Sequence, residues 1–309
     1  MKETEKLVNE GFVTPDFFNQ EVRSDYLVSS DIKKMWAIQM DLSRQLINIC
    51  KKHDLQVWGL AGTVLGAVRH HGFIPWDDDM DFIMPREDFE KLMTLSNEFA
   101  APYFLQSPYD RKEVHYTPFA RLRNSNTYLN HHVCPTERIT WNSGIFIDIF
   151  PLDGICSSGL ILRIRYAFIK LYTSILHCYV LNINPHWCMK ALHKVLHWPV
   201  LKCTHDKINR HIHKLASRTD YGKAQRVGLL VSGVYNLDHF IFEKTDWQDT
   251  VVIPFEQMLL PVPVGYEHTL RTMYGDYMAF PPLEKRGTWH HFTIDPDRTY
   301  LDYIANKKV

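Results

Sequence analysis

The sequence contains no Cys-x-x-Cys pair. Its six cysteines stand at 50, 134, 156, 178, 188 and 203, which argues against a zinc ribbon or a thioredoxin-type redox motif. Net charge is also absent: 35 Lys plus Arg balance 35 Asp plus Glu. A generic nucleic-acid binder draws its affinity from excess positive charge, so no nucleic-acid partner is expected. A spanning helix needs roughly 20 apolar residues. The longest apolar stretch, Tyr166 to Ile183, is broken by Lys170 and His177, so no spanning segment is expected. Met1 to Glu10 is charged and unlike a signal peptide. Free cysteines in a reducing compartment fit a chain with a core this large. The expectation is a cytoplasmic protein. No internal repeat is visible, and the composition is that of a globular chain. With 309 residues the chain makes one large domain or two small ones.

The zero balance conceals an asymmetry. Residues 159–214 carry nine Lys or Arg and one acid, Asp206, for +8, and the remainder of the chain carries −8. Seven of the seventeen histidines also fall there. Apolar runs such as Tyr166-Ala167-Phe168-Ile169 and Ile175-Leu176 lie between the basic residues. Such a segment suits peripheral contact with the inner face of an anionic membrane. It equally suits a helical insert whose basic face is solvated or meets an acidic partner.

Periodicity places an irregular lead-in over 1–28 and a helix capped by Ser30 that runs to about His53. Short strands follow at 55–60 and 80–84, with a turn and short helical segment from Ala61 between them. A helix is expected from Arg86 to about Ala100, and strand-like runs at 103–106, 116–123 and 145–150. The basic helical segment comes next, then a strand at 251–255 and a short helix at 266–274. This order predicts an α+β fold, a mixed sheet covered by helices with a basic helical insert. The expected organisation is a lead-in (1–30), a catalytic core (31–158), a basic insert (159–221) and a C-terminal part completing the catalytic domain (222–309).

The most informative stretch is LAGTVLGAVRHHGFIPWDDDMDFI, residues 60–83. Asp77, Asp78, Asp79 and Asp81 crowd between apolar segments. Carboxylates this close repel one another, and a hard divalent cation is the usual remedy. In an extended strand Asp79 and Asp81 share a face. An all-oxygen donor set suits Mg²⁺ or Mn²⁺. An acidic surface turn is the alternative. A third acid, Asp148, sits inside the apolar run 145–150, where a lone ion is costly. A shared metal would supply its partner, as would backbone amides at a sheet end. Asp153 reads as a turn residue. Gly62-Thr63, between a strand and a helical turn, offers amides to an anion. A glycine–hydroxyl turn, a D-h-D strand and a later third acid form the pattern of the nucleotidyltransferase superfamily, the polymerase-beta-like fold. The gap of 15 residues between Thr63 and Asp79 is slightly long for it.

Residues 62–92, GTVLGAVRHHGFIPWDDDMDFIMPREDFEKL, resemble the signature of the LicD family, the bacterial relatives of fukutin and fukutin-related protein. PFARLRNSNT (118–127), GIFIDIFPLDG (144–154) and VPVGYEHTLRTMYGDYMAFPPLEKRGTWHH (262–291) agree with it. The resemblance implies metal-dependent transfer of a phospho-alcohol group, phosphocholine foremost. The donor would be a CDP-alcohol such as CDP-choline. The acceptor would be a hydroxyl of a cell-surface glycan or its lipid-linked precursor. It further implies that Asp79 and Asp81 hold the metal, with Asp148 completing the site or accepting the acceptor's proton. Pyrophosphate-releasing nucleotidyl transfer and a catalytically silent binding relative are the alternatives. Phosphate binding would then fall to Gly62, Thr63, Asp77, Asp78 (through the cation), Arg69, Arg121 and Arg123, since guanidinium forks match phosphate geometry. The arginines have ion pairing with the acids as their other reading. Lys285, Arg286, His290 and His291 are candidate substrate contacts, the histidines with a structural alternative. Tyr274-Gly275-Asp276-Tyr277 reads as a packing and turn motif, and the same composition could also stack a base or sugar.

Overall fold

The computed structural model describes residues 2–114, 116–131, 141–181, 204–232, 236–287 and 292–305. The strands are β1 (Glu21–Arg23), β2 (Tyr26–Val28), β3 (Trp58–Gly59), β4 (Asp81–Pro85), β5 (Tyr103–Gln106), β6 (Ala120–Asn124) and β7 (Tyr128–His131). They continue with β8 (Phe146–Ile155), β9 (Arg226–Gly228), β10 (Ile241–Glu243), β11 (Thr250–Phe255), β12 (Met258–Pro263) and β13 (Phe292–Asp295). The helices are α1 (Glu3–Asn9), α2 (Ser30–Lys52), α3 (Ala61–His70), α4 (Arg86–Thr94), α5 (Gly159–Leu181), α6 (His205–Ala216), α7 (Tyr266–Tyr274) and α8 (Tyr300–Ala305).

The largest sheet is mixed, as expected. Its order is β10-β9-β8-β4-β3, with β6 also paired to β8 and β5 to β6. β4 and β8 run parallel and place Asp81 opposite Asp148. Both strands are apolar runs interrupted by acids, the composition of strands covered on both faces. Every residue of β8 is buried. Asp153 therefore does not occupy a turn. It lies inside β8, fully buried, and takes a bidentate pair from Arg86 at 2.7 and 2.8 Å.

α2 covers the sheet and starts one residue earlier than expected, because the Ser29 hydroxyl accepts from the Ile32 amide and so caps it. Asp31 in its first turn and Lys51 and Lys52 in its last complement the helix dipole. The lead-in is not irregular. It holds α1 and the β1–β2 hairpin, both shorter than periodicity detects. Tertiary contacts secure α1: the buried Glu3 carboxylate accepts from Asn124 at 2.9 Å and Asn126 at 2.8 Å. Arg86 to Ala100 is not one helix either; α4 stops at Thr94. β7, β12, β13 and α8 were not expected from the sequence, and β12 completes a hairpin with β11.

The insert does not stand apart. Ile169 and Leu176 of α5 and Ile208 and Ile212 of α6 join the hydrophobic core that contains β4 and β8. His213 of α6 ties the insert down. Arg86 donates to its Nδ1 at 2.6 Å, and its Nε2 meets the Pro118 carbonyl at 2.9 Å. A guanidinium only donates and a carbonyl only accepts, so Nδ1 is bare and Nε2 carries the proton. Among the described residues, no helix is long and apolar enough to cross a membrane.

Candidate active site

The acids sit on a loop whose backbone is held from three sides. On α2, the Trp36 indole donates to the Asp77 carbonyl at 3.2 Å and Gln39 to the Asp78 carbonyl at 2.9 Å. The Trp36 ring also stacks on Phe73 with centroids 4.5 Å apart. On α3, the Thr63 hydroxyl accepts from the Asp81 amide at 2.8 Å. From β8, the Asp148 amide donates to the Met80 carbonyl at 3.0 Å. Two glycines permit this packing. A Cβ on Gly62 would stand 2.7 Å from the Asp77 carboxylate, and one on Gly66 would stand 2.4 Å from the Gly72 carbonyl.

Asp77, Asp78 and Asp79 bring carboxylate oxygens within 4.8 Å of one another. β4 begins at Asp81, so Asp79 lies in the extended lead-in rather than inside a strand. Asp79 nevertheless faces Asp81 and Asp148. Burial, then Asp81, Asp78 and Asp148, push its carboxyl well above the usual carboxylate range. Burial and Asp148 do the same to Asp81, and burial and Asp79 to Asp77. The expected triad Asp79, Asp81 and Asp148 and the clustered triad 77–79 therefore meet at Asp79. Partly to fully buried, mutually repelling oxygen donors fit a hard divalent cation: one ion would offset the repulsion that otherwise favours protonation.

Arg121 occupies the middle of the site. Its Nε donates to Asp148 Oδ1 at 2.7 Å, and its Nη1 donates to the Tyr116 hydroxyl at 2.8 Å. Burial opposes its charge, but Asp148 and Tyr116 outweigh burial and raise its pKa. Arg123 is fully engaged away from the acids, donating to Gln106 Oε1 at 2.7 Å and the Gly144 carbonyl at 2.8 Å.

A cavity of about 850 Å³ opens beside Asp77 and Gly62. Trp76, Tyr274, Tyr277 and Phe280 give it an aromatic wall, with Asp276 and Lys285 at its lining. Arg69 and Arg286 build this wall rather than reaching the acids. Arg69 donates to the carbonyls of Tyr277 at 2.9 Å and Ala279 at 3.0 Å. Arg286 donates to the Pro281 and Ser24 carbonyls at 2.8 and 2.9 Å and lies over the Trp76 and Phe280 rings. His290 and His291 lie outside the described residues. Tyr274, in the motif that reads as packing or stacking, lines the cavity, and its phenol is shifted upward by burial and then by Asp77, Asp81 and Asp79. Gly275 (φ +68) ends α7 there and turns Asp276 and Tyr277 into the same wall.

Sequence reasoning missed Trp36, Gln39 and Tyr116. Trp36 and Gln39 are spaced three apart on α2, and nothing in the sequence links them to residues 77 and 78.

Residues 54–154, which contain all five acids, match the family described as LicD/FKTN/FKRP, nucleotidyltransferase domain. Over those residues the chain is similar to the LicD family. Similarity extends beyond that domain. The chain is 27% identical over 247 residues to the lipopolysaccharide cholinephosphotransferase LicD of Haemophilus influenzae, covering 78% of this chain and 89% of that protein. It is also 38% identical over 58 residues to an uncharacterized protein of Rickettsia prowazekii, covering 19% of this chain and 22% of that one.

Proposed function

We propose that this chain transfers phosphocholine, or a closely related phospho-alcohol, from a CDP-activated donor to a hydroxyl of a glycan. The carrying observation is an acid cluster, in the segment that matches the LicD family, whose Asp77 lines an aromatic-walled cavity. The relative named as a lipopolysaccharide cholinephosphotransferase supports the choice of group and acceptor. The mixed sheet with its D-h-D strand beside a third acid is consistent with a nucleotidyltransferase-like fold.

In this reading Asp77, Asp79 and Asp81, with Asp148, would hold Mg²⁺ or Mn²⁺. The ion would neutralise the donor diphosphate and the charge that develops on transfer. The rest falls to the protein. α2, α3 and β8 fix the acid loop, so the carboxylates need no reorganisation when charge develops. Arg121 offsets the charge of Asp148, which otherwise faces Asp81 at one register position. The cavity beside Asp77 takes the donor, whose base or alcohol can stack on the aromatic wall. The acceptor oxygen forms a new bond to the phosphorus bearing choline, the diphosphate bridge breaks, and CMP leaves. The hydroxyl proton passes to a carboxylate of the cluster or to water.

Product analysis tests this reading against nucleotidyl transfer. Incubation with CDP-choline and a glycan acceptor should release CMP. Release of pyrophosphate from a nucleoside triphosphate donor, with no CMP from CDP-choline, would replace the reading with nucleotidyl transfer.

A further inference from the structure

The sequence placed the insert's apolar character in Tyr166 to Ile169 and Ile175-Leu176. The structure buries Tyr166, Ile169, Ile175 and Leu176 in the core and leaves another set outside. Leu160, Ile161, Ile164 and Phe168 are 72%, 56%, 51% and 50% exposed. Positions 160, 164 and 168 recur every fourth residue and so share one side of α5. Tyr172 continues that row, and its ring meets His211 of α6 with centroids 4.5 Å apart. His211 stands among Lys207, Arg210, Lys214 and Arg218, all exposed and three or four residues apart. An apolar row and a basic row thus join through Tyr172 and His211 into one outward face.

α5 and α6 contribute no exposed acid of their own to this face. α5 contains no acid. Asp206, the single acid of α6, is buried and engages Thr204 and Arg111. Arg163 meets Asp238 at 3.2 Å, but both are exposed, and such a pair is weak enough to exchange partners.

We propose that this α5–α6 face docks on an anionic lipid surface, the apolar row entering the headgroup boundary and the basic row meeting lipid phosphates. Half-exposed Leu, Ile and Phe beside Lys and Arg are the composition of an interfacial helix. A second copy of the chain is a poorer occupant, because a two-fold contact would set one basic row against the other. The helix also links this face to the acids. From Ile164 to His177 it rises about 20 Å, and the His177 ring lies 6.4 Å from the ring of Tyr116, whose hydroxyl accepts from Arg121. The inference does not depend on which group the site transfers.

Flotation of the full chain with phosphatidylcholine vesicles, with and without phosphatidylglycerol, tests it. Binding should require the anionic lipid and weaken at high salt. Two exposed-residue variants separate the rows: Leu160→Ser/Ile164→Ser/Phe168→Ser and Lys207→Glu/Lys214→Glu/Arg218→Glu. Each should bind at least about tenfold more weakly while keeping the wild-type circular dichroism spectrum and Tm. Absence of binding at low salt, equal binding to neutral vesicles, or undiminished binding by both variants would overturn the proposal. So would a dimer in sedimentation velocity that the apolar variant dissolves while vesicles capture nothing.

Discussion

Asp79 and Asp81 carry opposing demands. Both are held near other acids, Asp79 by the loop and Asp81 by the start of β4, and burial and those acids push both carboxyls upward. Neutralising either should therefore cost activity and relieve repulsion together. Asp79→Asn/Asp81→Asn is expected to lower turnover about a thousandfold or more. In chelator the same variant should unfold at a higher temperature than wild type, by the equivalent of about 1–2 kcal/mol. Thermal melts beside an activity assay read both; a variant that keeps activity contradicts the site. Gly62 offers a gentler probe. Its added methyl would press on the mobile end of Asp77 rather than on backbone, so Gly62→Ala should change stability by less than about 1 kcal/mol. Steady-state kinetics should nonetheless show a large fall in kcat. At this scale the sequence was legible where chemistry is concentrated in adjacent residues: four acids in five positions, and a lone Asp148 in an apolar strand. It was not legible where a role depends on distant partners. Arg69, Arg121 and Arg123 look alike as candidate phosphate ligands, yet the fold gives only Arg121 of the three to the acids and places Arg69, with the candidate substrate contact Arg286, in the cavity wall.

Among the elements, α6 keeps a solvated basic side, one of the readings its sequence allows, and adds a buried side that the sequence did not show. One side is basic and exposed, but His213 is buried against Arg86, and burial followed by Arg86 holds its pKa well below 6.5. A depressed histidine pKa stabilises the fold above the unfolded value and loses that contribution as pH falls. The acid limb of stability should therefore begin near pH 6.5 and steepen below it. His213→Gln, whose amide can accept from Arg86 and donate to Pro118, should flatten that limb in denaturant titrations at successive pH values. An unchanged limb would place the pH dependence elsewhere. Long periodic elements such as α2 and the central strands were readable because each carries its own pattern. β1, β2 and α1 span seven residues or fewer and take their stability from partners such as Asn124 and Asn126, which no local pattern reveals.

For the whole molecule, burial and mutual repulsion give Asp77, Asp79 and Asp81 folded pKa values above the ordinary 3.8. The folded chain then binds more protons than the unfolded one, so without a cation their contribution falls as pH rises past about 4. Mg²⁺ or Mn²⁺ should reverse this. At 100-fold excess over its Kd a bound ion adds about 2.7 kcal/mol, or several degrees in Tm, and more at pH 8 than at pH 5. Equal shifts at both pH values would argue against carboxylate ligands. The central claim, that the acid cluster and the aromatic cavity form one donor site, is tested most directly by calorimetric titration of CDP-choline into wild type and Asp79→Asn/Asp81→Asn. Saturable binding by wild type in Mg²⁺, lost with chelator and lost in the variant, is the predicted result. Equal binding with and without metal, or undiminished binding by the variant, would contradict it.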